Sequence, residues 1–337
     1  MFMSEPTNFT ADKSAPTWRG ELRLHEPMAK HVSWRAGGSV ARAYIPADLA
    51  DLVVFLRTRD ASEDIYFVGL GSNLLVRDGG LNATVIFMHA VLNQINLIDS
   101  SHIDGEAGHI EVEAGVAAPK VARFAARHDL ANAEFLAGIP GTLGGALAMN
   151  AGCYGWETWQ IVESVKTIDR NGTIRTRAPS DFEITYRHVE LKKEKALFHP
   201  SSLIPHPSEV PHSSEEEWFV STTLKLPAGD GEVAKQKIKE LLTKRIATQP
   251  LSEPNAGSVF RNPKGDHAAR LIEACGLKGF RIGGAEVSRK HANFIVNTGN
   301  ATAADIEQVI EHVHAQVLSK HRVELIREVR IVGNNSI

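Results

Sequence analysis

Three side chains in this sequence stand where local structure does not require them. Ser258 lies between Gly257 and Val259 in the turn-rich segment 254–263. Its hydroxyl could face a cleft, or bond its own backbone as turn serines do. No Gly-x-Ser-x-Gly elbow surrounds it, so nucleophilic acyl chemistry is not indicated. Glu328 sits in the last apolar run, 325–332, near a position where alternation buries a side chain. A buried carboxylate needs a partner, and Arg187 or Arg330 could supply one; the alternative is a strand end turned to solvent. Arg187 itself follows Tyr186 in a mixed segment and could also be a surface cation.

Two glycine-rich stretches could hold a ligand's phosphates. The first, 67–76, is a short apolar strand running into Gly69, Gly71, Ser72 and Asn73, then strand again. The second, 135–155, carries Gly138, Gly141, Gly144, Gly145, Gly152 and Gly155, with Pro140 fixing a turn before a short helix. Glycine at this density suits close approach of backbone to a ligand. A helix starting near Gly141 would aim free N–H groups at a pyrophosphate. Neither stretch reads GxGxxG or GxxxxGK[ST], so the expectation is a dinucleotide held outside the Rossmann and P-loop schemes.

The positioning elements alternate between strand and helix. His31–Ser39 is expected as an extended run closed by Gly37-Gly38, and Ala43–Ile45 as a strand. Leu49, Leu52, Val53 and Leu56 share one face of a helix over 47–59. Strands follow at 66–68, 84–88 and 109–114, then a helix over 119–130. Asn171-Gly172 between two alternating runs predicts a hairpin. A strand over 218–226 leads to helices over 232–248 and 267–275 and a strand over 292–297. Thr302 caps a long helix with Ile306, Val309, Ile310, Val313 and Val317 inward, and 325–332 closes the chain as a strand. Residues 1–17 read as a flexible tail and 198–217, rich in Pro, Ser and His, as an inserted loop.

At 337 residues the chain is long enough for two or three domains, and 43% hydrophobic with 23% charged residues is ordinary globular composition. A net charge of −3 argues against nucleic acid as partner. Cys153 and Cys275 cannot build a disulfide framework and read as small buried residues. No stretch reaches the length of a membrane helix, and the N-terminus lacks signal-peptide order; a cytoplasmic protein is expected. The histidines of 198–217 match no metal-ligand spacing, so no metal is expected.

Six segments occur in a telling order: Gly-Leu-Gly-Ser-Asn-Leu-Leu (69–75), Gly-Ile-Pro-Gly-Thr-Leu-Gly-Gly (138–145), Asn-Ala-Gly-Cys-Tyr-Gly (150–155), Tyr-Arg (186–187), Asn-Ala-Gly-Ser-Val-Phe-Arg-Asn-Pro (255–263) and Glu-Val-Arg-Ile-Val-Gly (328–333). Singly each is unspecific. Together, from about His31 to Gly333, they resemble the UDP-N-acetylenolpyruvoylglucosamine reductase family, which completes UDP-N-acetylmuramate for peptidoglycan.

The resemblance implies an α/β (α+β) fold. Two FAD-binding subdomains of the PCMH/vanillyl-alcohol-oxidase-like superfamily would span 18–88, completed by 320–333, and 89–227. A substrate domain would span 228–319. It implies FAD on Gly69, Gly71, Ser72, Asn73, Leu74, Gly138, Pro140, Gly141, Gly144, Gly145, Asn150, Ala151, Gly152 and Arg330. Some oxidases of that superfamily tether FAD through a His after Gly-Gly; Ser39 stands there, so non-covalent FAD is expected. NADPH would reduce the flavin, and UDP-N-acetylenolpyruvoylglucosamine would then enter the same cleft. Hydride goes to C3 of the enolpyruvyl group; Arg187 and Glu328 would stabilise the resulting charge, and Ser258 would protonate C2. Tyr186, Asn262 and Lys290 would touch substrate. Only 227–231 separates the strand at 218–226 from the next helix, without tyrosine, so the chain resembles the subtype lacking a tyrosine-bearing loop. No obligate protein partner is implied. The alternatives are another FAD-dependent oxidase of the superfamily, acting on a small alcohol or sugar, and a nucleotide-binding module without catalysis.

Overall fold

The computed structural model describes residues 17–89, 91–98, 107–192 and 216–335. The tail expected over 1–17 and the loop expected over 198–217 lie outside these residues, apart from Thr17, Glu216 and Glu217.

The first part of the chain builds a sheet from β1 (Glu21–Pro27), β2 (Ser39–Ile45), β3 (Ile65–Val68) and β5 (Leu81–Phe87), in the order β1-β2-β5-β3. β2, β5 and β3 run parallel. Between β2 and β3, α1 (Leu49–Arg57) is capped by Asp48, whose side chain accepts from the Asp51 N–H at 2.8 Å. Leu52, Phe55 and Leu56 of α1 are buried against Tyr44 and Ile86 of the sheet. The expected extended run at 31–39 is instead a turn region following a single 3-10 turn at Met28–Lys30. Its backbone is committed to neighbouring loops: the Ser33 N–H donates to Gly71 O at 3.1 Å and the Gly38 N–H to Val76 O at 3.3 Å.

β4 (Leu74–Val76) leaves this sheet and pairs in parallel with β18 (Arg330–Val332) at the end of the chain. The expected strand over 325–332 therefore shortens to three residues. Residues 326–328 meet 259–261 in a single antiparallel bridge at Arg327 and Phe260: Ile326 O accepts from the Arg261 N–H at 2.8 Å, and the Glu328 N–H donates to Val259 O at 2.8 Å.

The second sheet runs β11-β10-β14-β7-β6. Its strands are β6 (Ile95–Leu97), β7 (Gly108–Glu113), β10 (Val162–Asp169), β11 (Ile174–Arg177) and β14 (Glu217–Leu226), all antiparallel. Asn171-Gly172 turns β10 into β11, with Gly172 at φ +70°. Against this sheet pack α2 (Ala118–Arg127) and α3 (Leu143–Ala148). Two small hairpins project from it: β8 (Gly152–Cys153) with β9 (Trp156–Glu157), and β12 (Phe182–Thr185) with β13 (His188–Leu191).

α4 (Gly231–Thr248) falls within the stretch expected to form the substrate domain, yet Ala234 and Ile238 are buried in the core of the second sheet's unit. The third core gathers α5 (Ala268–Ala274), the sheet β15-β16-β17 (Arg281–Ile282, Ala285–Val287, Ile295–Asn297) and α6 (Ala303–His321). Thr302 caps α6 as expected, its side chain accepting from the Asp305 N–H at 3.0 Å. Trp34 joins this core to the first unit. It is fully buried and donates its indole N–H to Ile295 O at 2.7 Å, while the Asn297 amide donates to Trp34 O at 2.9 Å. Among the described residues no helix is long and apolar enough to cross a membrane.

Candidate active site

The two glycine stretches meet. A Cβ on Gly69 would lie against the Thr142 side chain, and one on Gly141 would come within 3.1 Å of Ser72 Oγ. Glycine is required at 69 because the two loops leave no room for a side chain. Between them opens a cleft of about 450 Å³, lined by both loops and by Arg187, Arg245, Ser258, Glu328 and Arg330.

The amides available in this cleft belong to loops, not to the helix. Residues 143–145, the first turn of α3, have their N–H groups taken by Val116 O, Ala114 O and Thr142 Oγ1 at 2.8, 2.8 and 3.3 Å. The expectation of free helix amides near Gly141 is thus corrected: α3 starts two residues later and spends its first amides on residues 114 and 116, just past β7, and on its own cap Thr142. The amides of Gly71, Ser72 and Thr142, by contrast, have no acceptor among the described residues. A wall of N–H groups left unpaired along a cleft is suited to meet an anion.

The glycines differ in role. A Cβ on Gly144 would meet Ala114 Cβ at 2.9 Å, so this residue serves packing and does not line the cleft. Gly138 is packed against Cys153 and Tyr154, and Gly152 against its hairpin partner Trp156. A Cβ on Gly145 would have only Thr142 Oγ1 within 4 Å, at 3.6 Å. Protein packing does not demand glycine there, and the space a Cβ would fill belongs to the cleft.

Arg187, Ser258 and Glu328 converge from distant parts of the sequence. Arg187 occupies the two-residue turn between β12 and β13 at φ +57°, a conformation costing a non-glycine residue about 1–2 kcal/mol. The turn is held by its surroundings: the Arg187 Nη2 donates to Gly152 O at 2.9 Å, and Arg187 O accepts from Arg261 Nη2 at 3.1 Å. Arg187 Nε lies 3.0 Å from Glu328 Oε1 but off the hydrogen-bond direction, which leaves its N–H without a partner. Burial pushes the Glu328 carboxyl above its ordinary range; Arg187 and Arg261 pull it back only in part. Ser258 is half-buried and its hydroxyl has no partner among the described residues. Its loop is fixed from both sides by the buried Asn293, which holds the Val259 N–H with its carbonyl and Phe260 with its side-chain amide.

Several expected residues stand elsewhere. Asn150 is buried below the cleft, donating to Glu157 at 2.8 Å and to Thr185 O at 3.3 Å. Tyr186 is exposed beside Arg187, whose guanidinium lies 5.5 Å from its ring centre. Asn262 Oδ1 accepts from the Ala268 N–H at 3.1 Å, at the start of α5. Lys290 Nζ donates to Ile246 O at 2.6 Å, near the end of α4. None of the four lines the cleft, whereas Gly71, Asn73, Leu74, Pro140, Ala151 and Arg330 do.

Sequence reasoning missed Thr142, Arg245 and Gln249. Arg245 donates through Nε to Gln249 at 3.0 Å, and burial pulls its guanidinium below its usual value. The signal was present: Ile238, Leu242, Arg245 and Gln249 follow helical spacing, so Arg245 falls on the inward stripe of α4. Cys153 also lines the cleft, but burial pushes its thiol up to about 11, and it donates to Phe135 O at 3.0 Å. It stays protonated and is no nucleophile. Among the described residues no cluster of His, Cys, Asp or Glu could hold a metal ion.

Comparison with known proteins agrees with this geometry. Residues 40–177 match the family model described as FAD binding domain, and residues 249–332 that of UDP-N-acetylenolpyruvoylglucosamine reductase, C-terminal domain. The chain is 53% identical over 329 residues to a UDP-N-acetylenolpyruvoylglucosamine reductase of Thiobacillus denitrificans, covering 96% of this chain and 95% of that one. A protein of the same name from Nitrosospira multiformis is 56% identical over 336 residues, covering 99% and 94%. The crystal structure of UDP-N-acetylenolpyruvylglucosamine reductase from Thermus caldophilus superposes with a TM-score of 0.71 at 27% identity, covering 93% of this chain and 98% of that one. A cleft walled by two glycine loops on an FAD-binding fold, with acid and cation facing it, defines a flavoprotein oxidoreductase. Within that class, the chain belongs to the UDP-N-acetylenolpyruvoylglucosamine reductase family.

Proposed function

We propose that this chain uses NADPH to reduce the enolpyruvyl group of UDP-N-acetylenolpyruvoylglucosamine, giving UDP-N-acetylmuramate. The observation that carries the reading is the meeting of Arg187, Ser258 and Glu328, from three separate segments, in the cleft walled by the two glycine loops. Three units support the reaction: one around the first sheet and completed by β18, one around the second sheet, and one over 249–325. We assign α4 to the second unit because its apolar face packs there.

The residues fit FAD. The unpaired amides of Gly71, Ser72 and Thr142 suit its pyrophosphate, and Gly145 keeps clear the space that a Cβ would fill. Ser39 offers no histidine for a covalent link, which favours non-covalent binding. Held by these residues, FAD would supply the hydride chemistry between the nicotinamide and C3 of the enolpyruvyl group. The electron pair left on the substrate spreads over C2 and the carboxylate. Arg187, whose Nε is unpaired, supplies positive charge there. Glu328 serves there as a protonated acid or by polarising a partner, since a bare carboxylate would repel the charge; burial raises its carboxyl above the ordinary range. Ser258 hands its proton to C2 and recovers one from solvent, so that one hydride and one proton are added in all. NADPH and a uridine nucleotide are cytoplasmic compounds, which supports a cytoplasmic site of action.

The test is the visible spectrum of the purified protein. A yellow protein should bleach with NADPH without oxygen and regain colour when the enolpyruvyl substrate is added. Recovery only with oxygen would favour an oxidase, and a colourless protein unable to take up FAD would leave a binding module.

A further inference from the structure

Residue 328 is held at three points by three parts of the chain. Its N–H donates to Val259 O at 2.8 Å, next to Ser258. Its carboxylate lies 3.0 Å from Arg187 Nε, on the turn of the second unit. Its carbonyl accepts from Asn73 Nδ2 at 3.1 Å, across 255 residues of sequence. Asn73 belongs to the first glycine loop, and its own carbonyl accepts from the Arg330 N–H at 3.0 Å. The loop that faces the flavin thus grips the backbone on both sides of Val329.

We propose that Asn73 is the positioning residue for Glu328: its side-chain amide makes the flavin loop and the catalytic carboxyl one rigid piece. This rests on the assignment of Glu328 above. Glu328 precedes β18, and the single bridge of Arg327 with Phe260 holds only its N–H, which leaves its carbonyl to Asn73. The carbonyl of residue 328 can only accept, so a side chain at 73 must present a donor, and within this loop's reach asparagine does so. Arg77 holds the same segment further on, its N–H donating to Val332 O at 2.9 Å and its Nη1 to Gly333 O at 3.0 Å. That contact steadies β18 but lies beyond the carboxyl.

The experiment separates the two half-reactions by rapid mixing of FAD-saturated holoenzyme. Asn73→Asp keeps the shape and removes the donor; Asn73→Ala guards against an effect of the added charge. In both, flavin reoxidation by the enolpyruvyl substrate should slow by about tenfold to a hundredfold, the scale of a small misplacement of a catalytic group. Because Asn73 also lines the flavin cleft, both rates are read at saturating FAD, and the slowing should fall more heavily on reoxidation than on reduction by NADPH. Combining Asn73→Ala with Glu328→Gln should be no slower than Glu328→Gln alone, because a residue acting through another adds nothing once the other is gone. Arg77→Gln, which loosens the far end, should lower stability without changing the ratio of the two rates. Equal slowing of both half-reactions in the Asn73 variants, or multiplied defects in the double variant, would overturn the inference. A slow Glu328→Gln beside normal Asn73 variants would overturn it alone. A normal Glu328→Gln would remove the Glu328 assignment and the inference with it.

Discussion

Replacing Gly145 with alanine separates what the fold needs from what the cofactor needs. A Cβ at 145 meets nothing closer than Thr142 Oγ1 at 3.6 Å, and the residue is helical without a positive φ. Removing the backbone freedom of a glycine at such a site stabilises a protein by about 0.4–1 kcal/mol. Gly144→Ala is the contrast. Its Cβ would sit 2.9 Å from Ala114 Cβ and 3.1 Å from Ala114 O, and overpacking of that kind costs about 1–3 kcal/mol. The assay has two readings on flavin-free protein: the thermal midpoint, then FAD affinity by fluorescence titration. Gly145→Ala should keep or raise the midpoint and weaken FAD at least tenfold, or about 1.4 kcal/mol. Gly144→Ala should lower the midpoint. An unchanged FAD affinity in Gly145→Ala would refute the reasoning that this face of the cleft is reserved for the cofactor; a fallen midpoint would mean that the fold itself requires glycine there.

Acid precipitation should release yellow cofactor into the supernatant; colour kept by the pellet would contradict non-covalent FAD. Thr142→Ala removes the cap on the Gly145 N–H and should cost about 1 kcal/mol in unfolding experiments. Glu328 binds its proton more tightly folded than unfolded, so its contribution to stability falls as pH rises from its ordinary carboxyl range through its raised folded value. Glu328→Gln lacks that loss, and its midpoint relative to the parent protein should climb over the same pH interval; a constant difference would contradict the raised value.

The glycine loops were legible because close approach leaves a local mark: Gly69 lies so near the Thr142 side chain that a Cβ has no room, and a Cβ on Gly141 would crowd Ser72 Oγ at 3.1 Å. The long helices were legible for a similar reason, since the inward stripe of α6 repeats within one segment. What the sequence hid depends on partners far along the chain. The turn that lifts Arg187 is steadied by Arg261, 74 residues on, and the amides of α3 are taken by residues 114 and 116 of a preceding segment. The short β18 shows the same limit. Its apolar run reads as a longer strand, but only three residues pair with β4, and Arg327 makes a lone bridge to Phe260. Lys290 and Asn262 carried the right chemistry for a ligand contact, yet their hydrogen bonds go to Ile246 and to the start of α5.

The central claim is that Ser258 acts as the acid in one half-reaction only, and stopped-flow kinetics of Ser258→Ala test it most directly. Flavin reduction by NADPH should proceed nearly as in the parent protein. Reoxidation by the enolpyruvyl substrate should slow by about a hundredfold or more, the scale of a lost general acid, with little change in substrate binding. Reoxidation at the parent rate would contradict the account, and equal slowing of both steps would show that the substitution disturbs the flavin site instead.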